Sequence, residues 1–251
     1  MIRSAFFDEQ GYVSPIPLLT SEEVLHYRQA FDEVERNLGK EAAQVKLMSK
    51  HFEYPFIWEL ATHPKILDAV ETVYGPNIVL LGTHFFCKYP EPEAGQRFVA
   101  WHQDVTYWGL RPPKAISAWL AIDDADQENG CMRVIAGSHK EGIIEHGKSD
   151  RDGNLLSVNQ ELADERVAVN RAVDLCLTAG TMSLHDGLLV HGSNVNRSNR
   201  RRCGLTIRYS TPEIRVVDDA QFAGNWNIVL LRGEDQFGYL EYVEPPTFAR
   251  S

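Results

Sequence analysis

The spacing of apolar positions changes period along the chain and divides it into a helical and a β-rich part. After a lead-in at Ala5-Phe6-Phe7 and a strand-like Gly11-Tyr12-Val13, Thr20-Ser21-Glu22-Glu23 has the form of a capping box. The Thr20 hydroxyl can accept from the third helical N–H while Glu23 reaches back. Val24, Tyr27, Phe31, Val34 and Leu38 follow at helical spacing, which predicts an amphipathic helix ending near Gly39. Residues 40–56 show no clear period. Pro64 opens a second helix with Ile66, Leu67, Val70 and Val73 on one face, and Gly75-Pro76 stops it.

From Asn77 the pattern is that of strands. Residues 78–89 form a β-rich run, followed by a loop at 90–95. Residues 115–122 read as a strand with Ile116, Ala118, Leu120 and Ile122 on one face and Ala115, Ser117, Trp119 and Ala121 on the other. A turn at 127–130 leads into a short strand at 131–136. Residues 139–165 are polar and are expected to form a long loop or lid, with a short helix at 159–165. Further strands are expected at 166–169, 173–177, 181–185, 188–191 and 203–210, and residues 226–231 should pack back on the core. Helices followed by many short strands predict a mainly β fold, an antiparallel sandwich or barrel with helices against one sheet.

The length of 251 residues suits a single domain, divided into a helical part at 20–75, a β-rich core at 77–210 and a C-terminal tail at 211–251. A net charge of -10 argues against nucleic acid or an anionic membrane as the main partner, with Arg197, Arg200, Arg201 and Arg202 as a local exception. Four cysteines show no C-x-x-C pair, and three sit in strand-like apolar runs, as buried free thiols of a reducing compartment do. With no signal pattern and no long apolar span, the expectation is a cytoplasmic protein acting on a small molecule. The sequence carries no signal for an oligomeric state.

The chemistry concentrates in Trp101-His102-Gln103-Asp104 and in the segment that begins at His191. On extended backbone His102 and Asp104 project to the same face. If His191 folds back beside them, the three form a two-histidine, one-carboxylate set of the kind that holds Fe(II) and leaves positions open. Arg202 can clamp a carboxylate through two parallel hydrogen bonds, as the far end of a chelating 2-oxo acid requires, and Ser193 can donate its hydroxyl to the same group. Thr106, Tyr107 and Trp108 follow the first pair and are the candidate substrate wall. Lys88, Arg97, Arg111, Arg133 and Arg208 could meet an anionic substrate, although surface charge accounts for most such residues. Two other readings of the same ligands stay open: a zinc hydrolase and a non-catalytic metal-binding protein.

Taken together, Gly75-Pro76-Asn77-Ile78, Trp101-His102-Gln103-Asp104, Asn129-Gly130-Cys131-Met132 running to Gly137-Ser138-His139, and His191-Gly192-Ser193 with Arg202 resemble the phytanoyl-CoA dioxygenase-like Fe(II)/2-oxoglutarate oxygenases, ectoine hydroxylase among them. The resemblance covers roughly residues 5–210. It implies a double-stranded β-helix (jelly-roll, cupin-like) core, with His102, Asp104 and His191 on iron. It implies that Arg202 and Ser193 hold the 2-oxoglutarate C5 carboxylate, with a further contact by offset near His84 or Phe85. Trp108 matches an aromatic position beside the iron in ectoine hydroxylase-like members. The implied reaction is hydroxylation of an aliphatic C–H bond with O2, releasing succinate and CO2, with ascorbate stimulating turnover. Related halogenases lack the carboxylate ligand, and Asp104 fills that position here. The substrate is expected to be a small polar or anionic metabolite, with residues 40–56 and 139–165 at the entrance.

Overall fold

Phe6 and Phe7 belong to a short helix, α1 (Ser4–Gln10), which turns through Gly11 into strand β1 (Tyr12–Pro17). The Thr20 capping box then closes as its sequence predicts, with the Thr20 amide donating to Glu23 Oε2 at 2.7 Å and the Glu23 amide to Thr20 Oγ1 at 3.3 Å. It opens α2 (Ser21–Leu38), capped by Gly39, and α3 (Lys40–Val45) follows. A helix the sequence reading missed is α4 (Pro55–Ala61), where Pro55 occupies the first turn and Phe56, Ile57, Leu60 and Ala61 are buried. α5 (Pro64–Tyr74) matches its prediction at both ends. In this computed structural model the described residues are 4–90, 96–217 and 226–250; most of the loop expected at 90–95 lies outside them.

The strands that follow are β2 (Ile78–Lys88), β3 (Val99–His102), β4 (Leu110–Arg111), β5 (Ile116–Ala121), β6 (Met132–Val134), β7 (Gly147–Lys148), β8 (Gln160–Glu161), β9 (Val173–Leu175), β10 (Thr181–Asp186), β11 (His191–Ser193), β12 (Arg202–Ser210), β13 (Arg215–Val216) and β14 (Val229–Arg232). A large sheet has the order β1-β10-β5-β12-β2-β14, and a smaller one the order β3-β11-β6-β9. All of their strand pairs are antiparallel. This is the double-stranded β-helix arrangement: two antiparallel sheets enclosing an interior. The expected strand at 166–169 is absent. Short 3-10 turns at Asp164–Arg166 and Val169–Arg171 stand there, as the polar, charged run permits. The helix expected at 159–165 is likewise replaced by β8 and the first of those turns.

The large sheet is buried on both faces because its two faces have different partners. One face carries Ile116, Ala118, Leu120, Leu205, Ile207 and Tyr209, which pack with Phe31 and Val34 of α2, Ile57 and Leu60 of α4, and Ile66 and Val70 of α5. The other face turns toward the small sheet, with Trp119 and Ala121 meeting Met132, Val134 and Leu175. The period-2 pattern read for β5 therefore holds. The tail packs back as expected, with β14 pairing antiparallel to β2. Cys87, Cys131 and Cys203 are buried free thiols, and Cys176 is exposed. No helix among the described residues is long and apolar enough to cross a membrane.

The polar stretch 139–165 is tied down by the segment that follows β3 rather than hinged over it. Gln103 is fully buried and donates its side-chain amide to Gly142 O at 2.8 Å and Leu188 O at 2.7 Å, while Ile144 donates to its Oε1 at 2.8 Å.

Gly204, in the middle of β12, has no room for a side chain, because an added Cβ would overlap the Trp119 indole. Gly204→Ala is expected to destabilise the fold by about 1–3 kcal/mol through this overpacking. The check is the shift of the urea midpoint at unchanged slope.

Candidate active site

The smaller sheet brings the two distant histidines together. His102 ends β3 and His191 begins β11, and the two are paired across the antiparallel ladder. Their ring centroids lie 4.1 Å apart. Asp104 sits two residues past His102, in a 3-10 turn at Asp104–Tyr107, and its Oδ1 is 3.6 Å from His102 Nε2. One ligand atom from each of the three residues lies within 4.8 Å of the others, and all three side chains are buried. Each imidazole places Nδ1 against a backbone carbonyl, His102 on Ala100 O at 2.8 Å and His191 on Leu189 O at 2.9 Å. Those bonds fix Nδ1 as the protonated nitrogen and leave the Nε2 lone pairs facing the cluster. Burial, reinforced by the neighbouring His102 and His185, holds the His191 pKa well below the usual imidazole range and keeps the ring neutral. Neutral imidazole nitrogens and a carboxylate oxygen are the donor set that suits Fe(II).

Asp104 is gripped from the large sheet. His185 on β10, Ser117 on β5 and Arg208 on β12 occupy one register row across three paired strands. Ser117 Oγ donates to Asp104 Oδ2 at 2.9 Å, His185 Nε2 is 3.6 Å from the same oxygen, and Arg208 Nη2 is 3.9 Å from Oδ1. Burial opposes the Asp104 charge, but Arg208, His102 and His185 outweigh it and hold the carboxyl well below its usual range. His185 carried no signal in the sequence beyond lying in a predicted strand.

Arg202 lies at the other end of the chamber, buried, and pairs in register with Lys88 on β2. Its guanidinium donates to Gly130 O from Nη2 at 2.8 Å and from Nε at 3.1 Å, and Nη2 reaches Ser193 Oγ at 3.3 Å. Lys88 is no surface charge: it is completely buried, and its ammonium donates to Ser193 Oγ at 2.6 Å and to Asn194 O. Ser193 accepts from both cations, so its own O–H remains to be donated elsewhere. Neither cation has a carboxylate partner among the described residues. Burial and the adjacent Arg202 push the Lys88 pKa well below the usual amine range. Two buried cations side by side are unfavourable unless an anion joins them.

The cavity lined by His102, Asp104, His191, Ser193 and Arg202 adjoins a second one of about 250 Å³, and Phe86 and Arg208 line both. Tyr107, Trp108 and His84 line the second cavity, with Met48 and Ser49 from the 40–56 region and Leu156 and Ser157 from the 139–165 segment. His84, expected beside the 2-oxo acid, therefore stands in the neighbouring space, and its Nε2 is buried without a hydrogen bond among the described residues. Phe85 points the other way, into the helix-side core. Thr106, expected at the substrate, lines neither cavity, and its hydroxyl lies 3.1 Å from both Gln103 O and Gln160 Oε1. Among the other candidate cations, Arg97 pairs with Glu41, Arg133 pairs with Asp174, and Arg111 is exposed.

A family model described as phytanoyl-CoA dioxygenase matches residues 7–204. The peroxisomal phytanoyl-CoA dioxygenase of Bos taurus is 26% identical over 233 residues, covering 85% of this chain and 69% of the relative. A probable alpha-ketoglutarate-dependent hypophosphite dioxygenase of Stutzerimonas stutzeri is 26% identical over 168 residues, covering 67% and 57%. Among solved structures, the apo form of the non-heme monooxygenase ThoJ superposes with a TM-score of 0.78 at 28% identity, covering 97% of this chain and 88% of that one. With the family model spanning most of its length, the chain belongs to the phytanoyl-CoA dioxygenase family and is a 2-oxoglutarate-dependent dioxygenase.

Proposed function

We propose that the protein hydroxylates an aliphatic C–H bond of a small-molecule metabolite, with His102, Asp104 and His191 holding Fe(II) and Arg202, Lys88 and Ser193 holding the far carboxylate of 2-oxoglutarate. The observation that carries this reading is the pair of buried cations without a counter-anion, set in one cavity with a buried His-Asp-His cluster. When bound, iron with 2-oxoglutarate and O2 supplies the oxidising power for C–H hydroxylation, with succinate and CO2 released. A zinc hydrolase would need the same three ligands but gives Lys88 and Arg202 no task.

The chain's own contribution is positioning and exclusion of water. The Ala100 and Leu189 carbonyls orient the two imidazoles, and Ser117 holds Asp104 Oδ2 so that Oδ1 faces His102. Arg202 and Lys88 offer donors converging on one point, and Ser193 adds its hydroxyl hydrogen there. Trp119 lies under the Arg202 guanidinium at 5.4 Å from its ring centre, which keeps water from the clamp and fixes its plane. The large sheet, covered on one side by helices and on the other by the small sheet, shields the chamber from bulk water on those sides.

Succinate formation from 2-oxoglutarate in the presence of Fe(II), ascorbate and air is the direct test. Asp104→Ala is expected to reduce it to background with an unchanged circular dichroism spectrum; full retention refutes the ligand set. Arg202→Ala is expected to raise the 2-oxoglutarate concentration for half-maximal turnover roughly tenfold to a hundredfold, the worth of a charged hydrogen-bonding partner.

Lys88→Met separates binding from stability. It is expected to raise the 2-oxoglutarate requirement roughly tenfold or more. The same change should stabilise the ligand-free protein by about 1 kcal/mol or more, since a buried amine without a counter-ion gives way to an uncharged apolar side chain of similar length. Differential scanning calorimetry without 2-oxoglutarate reads the second effect; a lower melting temperature together with an unchanged 2-oxoglutarate requirement counts against the anchor.

A further inference from the structure

The second cavity has a composition that selects its ligand. Phe86, Tyr107, Trp108 and Trp226 give it aromatic walls, and Trp226 packs edge-on against Trp108 at 5.6 Å between ring centres. Among the described residues one charged side chain lines it, Arg208, and no acidic residue does. Arg208 is about nine-tenths buried, with its guanidinium 5.2 Å from the Trp108 ring centre. Arg208 Nε and His84 Nε2 are both buried and hydrogen-bond to nothing among the described residues. The nearest carboxylate to Arg208 among the described residues is Asp104, at 3.9 Å, which belongs to the proposed iron ligands and is already engaged by Ser117.

We propose that this cavity, next to the oxygenase centre described above and resting on that reading for its role, takes as substrate a small carboxylic acid with a hydrocarbon body, the aromatic walls covering the body and Arg208 pairing with the carboxylate. A buried guanidinium with an unused N–H is a strong site for a carboxylate, because both desolvated charges are then satisfied. His84, held neutral by burial and by Arg208, with its pKa down to about 3, offers a second polar atom without adding charge. An amine or a quaternary ammonium would face Arg208 with no acid among the described lining residues to offset it. The volume of about 250 Å³ falls below the ~300–1,000 Å³ of sites for drug-sized ligands, which limits the enclosed part of the substrate to a compact body.

The test is calorimetric titration of the metal-free protein with phenylacetate and isovalerate, each against its neutral amide. Both acids are expected to bind, roughly tenfold or more tighter than the amides. Arg208→Gln should erase that difference, Arg208→Lys should keep part of it, and Arg202→Gln should leave it unchanged. Trp226→Ala should weaken acid and amide by the same factor, because it removes wall and not charge. The proposal is overturned if none of the four compounds binds, if acids and amides bind alike, if the preference follows Arg202 instead of Arg208, or if Trp226→Ala leaves acid binding untouched. Succinate formation with Fe(II) and 2-oxoglutarate reads the oxygenase reading separately. Absence of an acid preference in the wild-type protein with succinate formation intact strikes only this inference, and acid preference without any succinate strikes only the oxygenase reading.

Discussion

An excess of buried basic side chains over buried carboxylates is the constraint around which this protein is built. The buried charged side chains among the described residues are Lys88, Arg202 and Arg208, against one carboxylate, Asp104. The chain as a whole carries a net charge of -10, so its exterior repels the anions that its interior lacks. A buried cation without a counter-ion costs several kcal/mol in real proteins, and Lys88 and Arg202 have hydrogen bonds to carbonyls and to Ser193 but no carboxylate among the described residues. The cost is borne on the folded side and is relieved only when an anion arrives. Stability and ligand affinity are therefore coupled at these residues with opposite signs, the usual pattern where function is set against fold.

The alternation of a single strand distributes those charges. Arg202, Gly204, Thr206 and Arg208 of β12 face the chamber, and Cys203, Leu205, Ile207 and Tyr209 face the helices. Six residue steps of extended chain separate the two arginines by roughly 20 Å, which places one beside Lys88 and Ser193 and the other beside Asp104. The strand is pinned on both sides, by β2 and by β5. Its register sets the Arg202–Lys88 pair and the His185–Ser117–Arg208 row at once. A slip of one residue in β12 would turn both of its arginines toward the helices.

The helices at 21–38 and 64–74 were legible because their signals are local: a capping box, a proline at the first turn, and a glycine after the last. Pro55 and the apolar run after it carried the same kind of signal for α4, but the stretch is short enough to pass as irregular. The triad was legible from residue type and order, and Arg202 from its place after the second histidine. Lys88 was not, because a lysine ending an apolar strand before a proline-containing loop looks like an ordinary exit to solvent. Only its cross-strand pairing with Arg202 shows that it faces inward. Arg208 was half-legible: its even spacing from Arg202 already required the two to share a face. His185 depends wholly on the neighbouring strands, which no local pattern reveals.

Trp226 comes from a stretch beyond residue 204, where the match to the family ends, yet it closes one side of the second cavity and donates its indole N–H to Trp108 O at 3.3 Å. The residues that would perform the oxidation and one wall of the chamber that screens what reaches them thus lie on separable stretches of chain. Mutational drift in the tail can reshape the menu of acceptable molecules while every ligand atom stays where it was. A shared scaffold with a replaceable wall is a ready route by which relatives with the same metal motif come to serve different metabolic niches.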